Sequence, residues 1–152
     1  MIVDRSKHLT GFDQKRIVLL EERLATSATP EASAISELEM LADLYLQADS
    51  YLPALETIGR LLALPEAKAL SRARRAAFES KAVSCRLAQG ECQAALAHCR
   101  ELLQDEEAID HLPIRCRLHL QCAEALLRIG RPADALASAQ RALELAEGAQ
   151  DL

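Results

Sequence analysis

Three stretches of this chain can be laid over one another, and no other feature constrains its fold as tightly. They are residues 47–62 (QADSYLPALETIGRLL), 89–103 (QGECQAALAHCRELL) and 129–145 (IGRPADALASAQRALEL). Their turns align at Asp49, Gly90 and Gly130, roughly 40 residues apart, a period within the range of helical solenoids. A unit of this kind cannot bury its apolar face alone, so neighbours must stack to build a core.

Composition supports helices. Half of the 152 residues are apolar, enough for a continuous core, yet aromatic residues make up only 3% and Trp is absent. An Ala- and Leu-rich chain favours close helix packing and lacks the β-branched and aromatic residues that strands prefer. The net charge of −5 argues against non-specific nucleic-acid binding. A local basic cluster, Arg72, Arg74, Arg75 and Lys81, reads as the solvated face of one helix. No apolar run approaches the ~20 residues of a membrane span, and residues 1–8 lack the apolar core of a signal peptide, so a cytoplasmic setting is expected. The five cysteines are odd in number and form no Cys-x-x-Cys pair, which excludes a secreted disulfide framework and favours small buried hydrophobes.

Punctuation along the chain predicts seven helices. Thr10 and Asp13 form a capping pair for a helix over 11–26. Thr29 and Pro30 start a second, to about Ala48. Ser50 caps a third from Tyr51 to about Leu64, with Pro53 in its first turn, where no intrahelical donor is lost. A break at residues 64–66 precedes a long helix, entered through a loose first turn and ending near Ala88. A helix over 91–104 answers it. The acidic stretch 105–110 reads as a loop or frayed turn. A sixth helix then runs to Ile129, and a seventh starts at Arg131 and Pro132 and ends near Glu147.

These hairpins resemble the tetratricopeptide repeat (TPR). The family places bulky and small residues at positions 4, 7, 8 and 11 of one helix and 20, 24 and 27 of the next. The first repeat supplies Leu38, Leu41, Ala42, Tyr45, Ala54, Ile58 and Leu61. The second supplies Glu79, Ala82, Val83, Arg86, Ala95, Cys99 and Leu102, with Arg86 where the pattern has Tyr. The third supplies His119, Cys122, Ala123, Leu126, Ala135, Ala139 and Ala142. The repeats exceed the family's usual length and are similar to the long ones of bacterial maltose-activator-type signalling regulators. The resemblance implies an all-α, right-handed superhelical solenoid of three helix pairs plus a leading helix. Its expected layout is a leading helix and linker (1–29), a repeat domain (30–148, repeats 30–64, 66–104 and 110–147) and a tail (149–152).

The family lines a groove with positions 2, 5, 9, 12 and 13 of each first helix. Carried over, the candidate partner-binding residues are Glu39, Asp43 and Leu46 in the first repeat. Ser80, Ser84 and Leu87 follow in the second, and Leu120, Glu124, Leu127 and Arg128 in the third. Glu39 and Asp43 stand where co-chaperone members hold a terminal carboxylate, and their charge would repel one. A segment with apolar anchors and Lys or Arg neighbours suits such a groove better. The last helix carries Leu136 and Leu143 with no capping helix after it, so either the chain continues in the natural protein or two copies meet there.

Other chemistry is weakly signalled. Cys116, His119 and Cys122 share a broad helix face, and Cys85, Cys92, Cys99 and His98 lie on the neighbouring pair, but zinc needs four converging ligands and these positions serve packing. Cys92 and Cys99 stand two turns apart on one helix, about 10 Å, too far for a disulfide. No phosphate loop or nucleophile constellation occurs. The expectation is a cofactor-free, non-enzymatic adaptor or scaffold that binds a protein or peptide, set in a bacterial signalling or transcription regulator. The alternatives are a homo-oligomerising scaffold or a chaperone for a secreted subunit.

Overall fold

The Thr10 hydroxyl accepts from the Asp13 backbone N–H at 3.3 Å, and the Asp13 carboxylate accepts from the Thr10 N–H at 3.2 Å. This closed capping box satisfies amides that a helix start leaves free. It opens the first of seven α-helices in a computed structural model that describes residues 10–26 and 31–149. They are α1 (Gly11–Ala25), α2 (Glu31–Gln47), α3 (Tyr51–Ala63), α4 (Arg72–Ala88), α5 (Cys92–Leu103), α6 (Leu112–Arg128) and α7 (Pro132–Gly148). Short 3₁₀ turns occupy Pro65–Ala69 and Glu106–Ala108. Among the described residues there is no strand, so the chain is all-α. The cap expected at Thr29 and Pro30 lies outside the described residues.

The three aligned turns share one backbone geometry. Asp49, Gly90 and Gly130 have φ of 54°, 82° and 83°, the left-handed region. At each, the following amide reaches back to the helix: Ser50 N–H to Tyr45 O, Glu91 to Arg86 and Arg131 to Leu126, all at 2.9 Å. The turn residue's own amide bonds Leu46, Leu87 or Leu127 at 3.1 Å. Together these are complete Schellman motifs, which pair carbonyls that a helix end otherwise leaves open. The geometry also corrects one expectation. The third helical residue is Pro53, which has no N–H to offer a cap, so Ser50 makes no side-chain cap and its hydroxyl donates to the Ala48 carbonyl at 3.5 Å. Conversely, Ser71 caps α4, accepting from the Arg74 amide at 3.2 Å.

Packing divides the chain into two compact units, Met1–Leu70 and Ser71–Leu152, with the boundary inside the stretch expected to be one repeat array. In the first unit Leu20 of α1 packs with Leu41 and Leu44 of α2, flanked by Ile17, Leu24 and Tyr45. The Tyr45 hydroxyl donates to Glu21, and Arg23 pairs with Glu37. Partial burial, then the Glu21 hydrogen bond and charge, push the Tyr45 phenol up to about 12. On α3, Ala54, Thr57, Ile58 and Leu61 are buried, and the Thr57 hydroxyl is satisfied by the Pro53 carbonyl at 2.7 Å. Leu64 is extended, as a residue before proline must be, and the turn after it packs on α2 and α3.

The second unit gathers α4–α7 around one core. Val83 and Leu87 of α4 meet Ala95, Leu96, Cys99 and Leu102 of α5, Leu118, Cys122 and Leu126 of α6, and Ala135 of α7. The acidic stretch is better anchored than a frayed turn. Ile109 plugs the core, and Glu106 accepts from Arg115 at 3.0 and 3.1 Å and from His119 at 3.2 Å. Burial alone would raise the Glu106 pKa. The His119 and Arg115 hydrogen bonds outweigh it and hold the carboxyl below its ordinary value.

The same substitution should act with opposite signs at two glycines. Gly130→Ala forces a side chain into positive φ and should cost about 1 kcal/mol. Gly59→Ala, inside α3 where a Cβ meets nothing within 4 Å, should gain up to about 1 kcal/mol in urea unfolding. Absorbance titration should show one of the two tyrosines ionising only near pH 12. An unfolded phenol ionises near 10, so this contribution is intact below that pH and lost as pH rises towards 12. Tyr45→Phe removes the dependence.

Candidate functional site

The third-repeat candidates lie on an open face of α6. Leu120 and Leu127 are 54% and 60% exposed and stand two turns apart on one side of the helix. Between them Glu124 pairs with Arg128 at 2.6 Å, and the same guanidinium donates to the Leu87 carbonyl at 2.5 Å. That bond fixes the polar rim beside the two leucines and caps a carbonyl near the C-terminal end of α4.

The second-repeat candidates meet a different environment. Ser80 is 0% exposed and Leu87 only 3%, so neither is presented to a partner, contrary to expectation. The cause is α6, which packs on this side of α4. The Ser80 hydroxyl donates to the Gln121 carboxamide oxygen at 3.1 Å. The Gln121 amide group donates to the Ser80 carbonyl at 2.9 Å and to the Ser84 hydroxyl at 2.8 Å. Ser84 stays exposed at the edge of this network. Gln121 is the residue that sequence reasoning missed. Its only signal was the pair of serines one turn apart on α4, facing a polar residue set between Leu120 and Cys122.

In the first unit, α1 and α2 enclose a cleft of about 370 Å³. Glu39 and Asp43 line it with Ser36 and Gln47, and Asp13 and Arg16 close it from α1. Arg16 reaches the Met40 sulfur at 2.9 Å, and Leu44 supplies an apolar patch. Three carboxylates against one guanidinium make the lining favour cationic groups. Leu46 is half-buried and lies outside the cleft lining. On α7, Leu136 and Leu143 are 60% and 57% exposed.

Among the described residues, His98, His119 and Cys116 have polar partners of their own. His119 pairs with Glu106, Cys116 donates to the Ala142 carbonyl at 3.5 Å, and Cys99 and Cys122 are both buried in the core of the second unit. Arg86, standing in place of the pattern's Tyr, donates to His98 Nδ1 at 2.8 Å, which leaves Nε2 to carry the proton towards Glu79 at 3.5 Å. Glu79 is lowered chiefly by that His98 hydrogen bond. Of the basic cluster, Arg74 and Lys81 each lie 5.8 Å from the Phe78 ring, and Arg75 lies 3.9 Å from Glu79, so these charges serve their own helix. Among the described residues no helix is long and apolar enough to cross a membrane. The chain matches no protein-family model and no curated protein.

The contrast between α4 and α6 is measurable. Leu87→Asp places a carboxylate in the core and should cost more than about 3 kcal/mol in chemical denaturation. Leu127→Asp should stay within about 1 kcal/mol of wild type.

Proposed function

We propose that this chain is a helical-repeat adaptor of the tetratricopeptide kind that holds a protein or peptide partner, as the regulatory part of a signalling or transcription system. One observation carries the binding reading. Leu120 and Leu127 stand open on one face of α6, whereas the equivalent Ser80 and Leu87 of α4 are covered by α6 itself. Two leucines more than half exposed and two turns apart are the anchors that a bound helix or extended segment would cover. The repeat reading is supported by the three Schellman turns and by Ala54, Ala95 and Ala135, all buried at the same offset beyond them. The acidic lining of the α1–α2 cleft suits Lys or Arg side chains of such a partner.

A second reading, a self-associating scaffold, is favoured by Leu136 and Leu143 on α7. Affinity capture from the source cells, with circular dichroism as the folding control, separates the two. Leu120→Asp/Leu127→Asp should reduce partner recovery more than tenfold, since covering each leucine stabilises a complex by about 1 kcal/mol and a buried carboxylate costs more. Unchanged recovery by that folded variant removes α6 as the binding face. Sedimentation that turns from dimer to monomer on Leu136→Asp/Leu143→Asp establishes the scaffold instead.

A further inference from the structure

Among the described residues of the second unit, the large apolar side chains that stand exposed are Leu120 and Leu127 on α6 and Leu136 and Leu143 on α7. The repeat says what belongs over them. Counted from the turn glycine of each hairpin, Leu120 and Leu127 stand where α4 has Ser80 and Leu87. Leu136 and Leu143 stand where α5 has Leu96 and Leu103. Ser80, Leu87 and Leu96 are 0%, 3% and 4% exposed, and Leu103 is partly buried against the same core. The difference is one helix. α4 and α5 form a pair as α6 and α7 do, and α6 then packs against both α4 and α5. Among the principal helix–helix contacts, α7 meets only α6. Each exposed leucine thus occupies a position that is buried one repeat earlier, where α6 lies across the pair. The leucines of the second helix recur in the first hairpin as Leu55 and Leu62, both half-buried. The last hairpin keeps them as well, although an array end that faces water calls for a polar face.

We propose that one amphipathic helix of a partner protein lies across α6 and α7, in the place that α6 holds on α4 and α5, and covers the four leucines together. This rests on the adaptor reading and deepens it, naming what is held and adding α7 to the binding face. The chemistry of the occupant is read from α6. Towards the shared core α6 presents Ile114, Leu118, Cys122 and Leu126, apolar side chains at four-residue steps. On its flank Gln121 donates to the Ser84 hydroxyl and Arg128 to the Leu87 carbonyl. In the open pair Glu124 stands in place of Ser84 and Leu127 in place of Leu87. The partner helix therefore carries an apolar stripe of the same spacing. Beside it lie a Lys or Arg that meets Glu124 and an Arg, seven residues later, that reaches the Leu127 carbonyl. Each leucine pair spans two turns, so an occupant as long as α6 covers both. The α7 of a second copy offers no such stripe. Four-residue steps from Leu136 meet Gln140 and Glu144, and steps back from Leu143 meet Ala139 and Ala135, which are turned to their own core.

The probe is a fluorescein-labelled synthetic peptide of residues 112–128, the α6 sequence itself, added to the intact protein under reducing conditions. Fluorescence anisotropy should show saturable binding that a scrambled peptide of the same composition lacks. Leu120→Asp/Leu127→Asp and Leu136→Asp/Leu143→Asp, both folded by circular dichroism, should each weaken that binding more than about tenfold. No saturable binding, or equal binding of the scrambled peptide, overturns the proposal. Loss on one pair alone overturns the shared seat; where that pair is Leu120 and Leu127, the adaptor reading stands. If neither pair matters the seat falls, and partner capture judges the α6 face by itself. A wild-type dimer that Leu136→Asp/Leu143→Asp splits puts a second copy on α7 and overturns the partner helix.

Discussion

The left-handed residue that ends each first helix is the constraint from which the rest of this architecture follows. At Asp49, Gly90 and Gly130 the chain reverses through the same pair of backbone hydrogen bonds, and the next helix starts at a fixed offset and rotation. That offset carries Ala54, Ala95 and Ala135 into fully or almost fully buried positions. A small side chain there lets two helix backbones approach, and the larger residues on either side fill the space that remains. Glycine meets the φ requirement at two of the turns. At the third, Asp49 accepts a hydrogen bond from the Tyr51 hydroxyl at 2.6 Å, local support for a backbone conformation that aspartate tolerates better than most residues.

Polar groups then specify which faces meet. In the second unit Gln121 engages Ser80 and Ser84, and Arg128 reaches the Leu87 carbonyl, so α6 is registered on α4 by directional bonds as well as by apolar contact. A buried carboxamide left unpaired would cost about 1–3 kcal/mol, which penalises any slip of one helix along the other. Glu106 has a similar part, tying the turn before α6 to Arg115 and His119. Covering one face of α4 in this way leaves the outward face of α6 open, and the adaptor reading rests on that difference.

Much of this was legible in the amino-acid order, because it depends on near neighbours. Helix ends follow from residues such as Thr10, Pro65, Gly90 and Gly130, whose effects on φ, capping and hydrogen bonding act within one turn. The repeat resemblance put Leu41, Ile58, Val83 and Leu126 at helix-packing positions, and all four are buried. Local reasoning gave less at the candidate site. Ser80 and Ser84 occupy adjacent turns of one helix and look alike in the sequence, yet one is fully buried and the other exposed.

The sequence by itself determined that the chain is helical, where the helices start and stop, and that three hairpins repeat. All three follow from periodicity and from backbone preferences that need no distant partner. Only the tertiary structure decided that Leu87 is interior while Leu127 is surface, and that Gln121 is structural. Each of those outcomes depends on which helix lies across the gap, and a side chain's burial is set by that neighbour as much as by its own place on the helix.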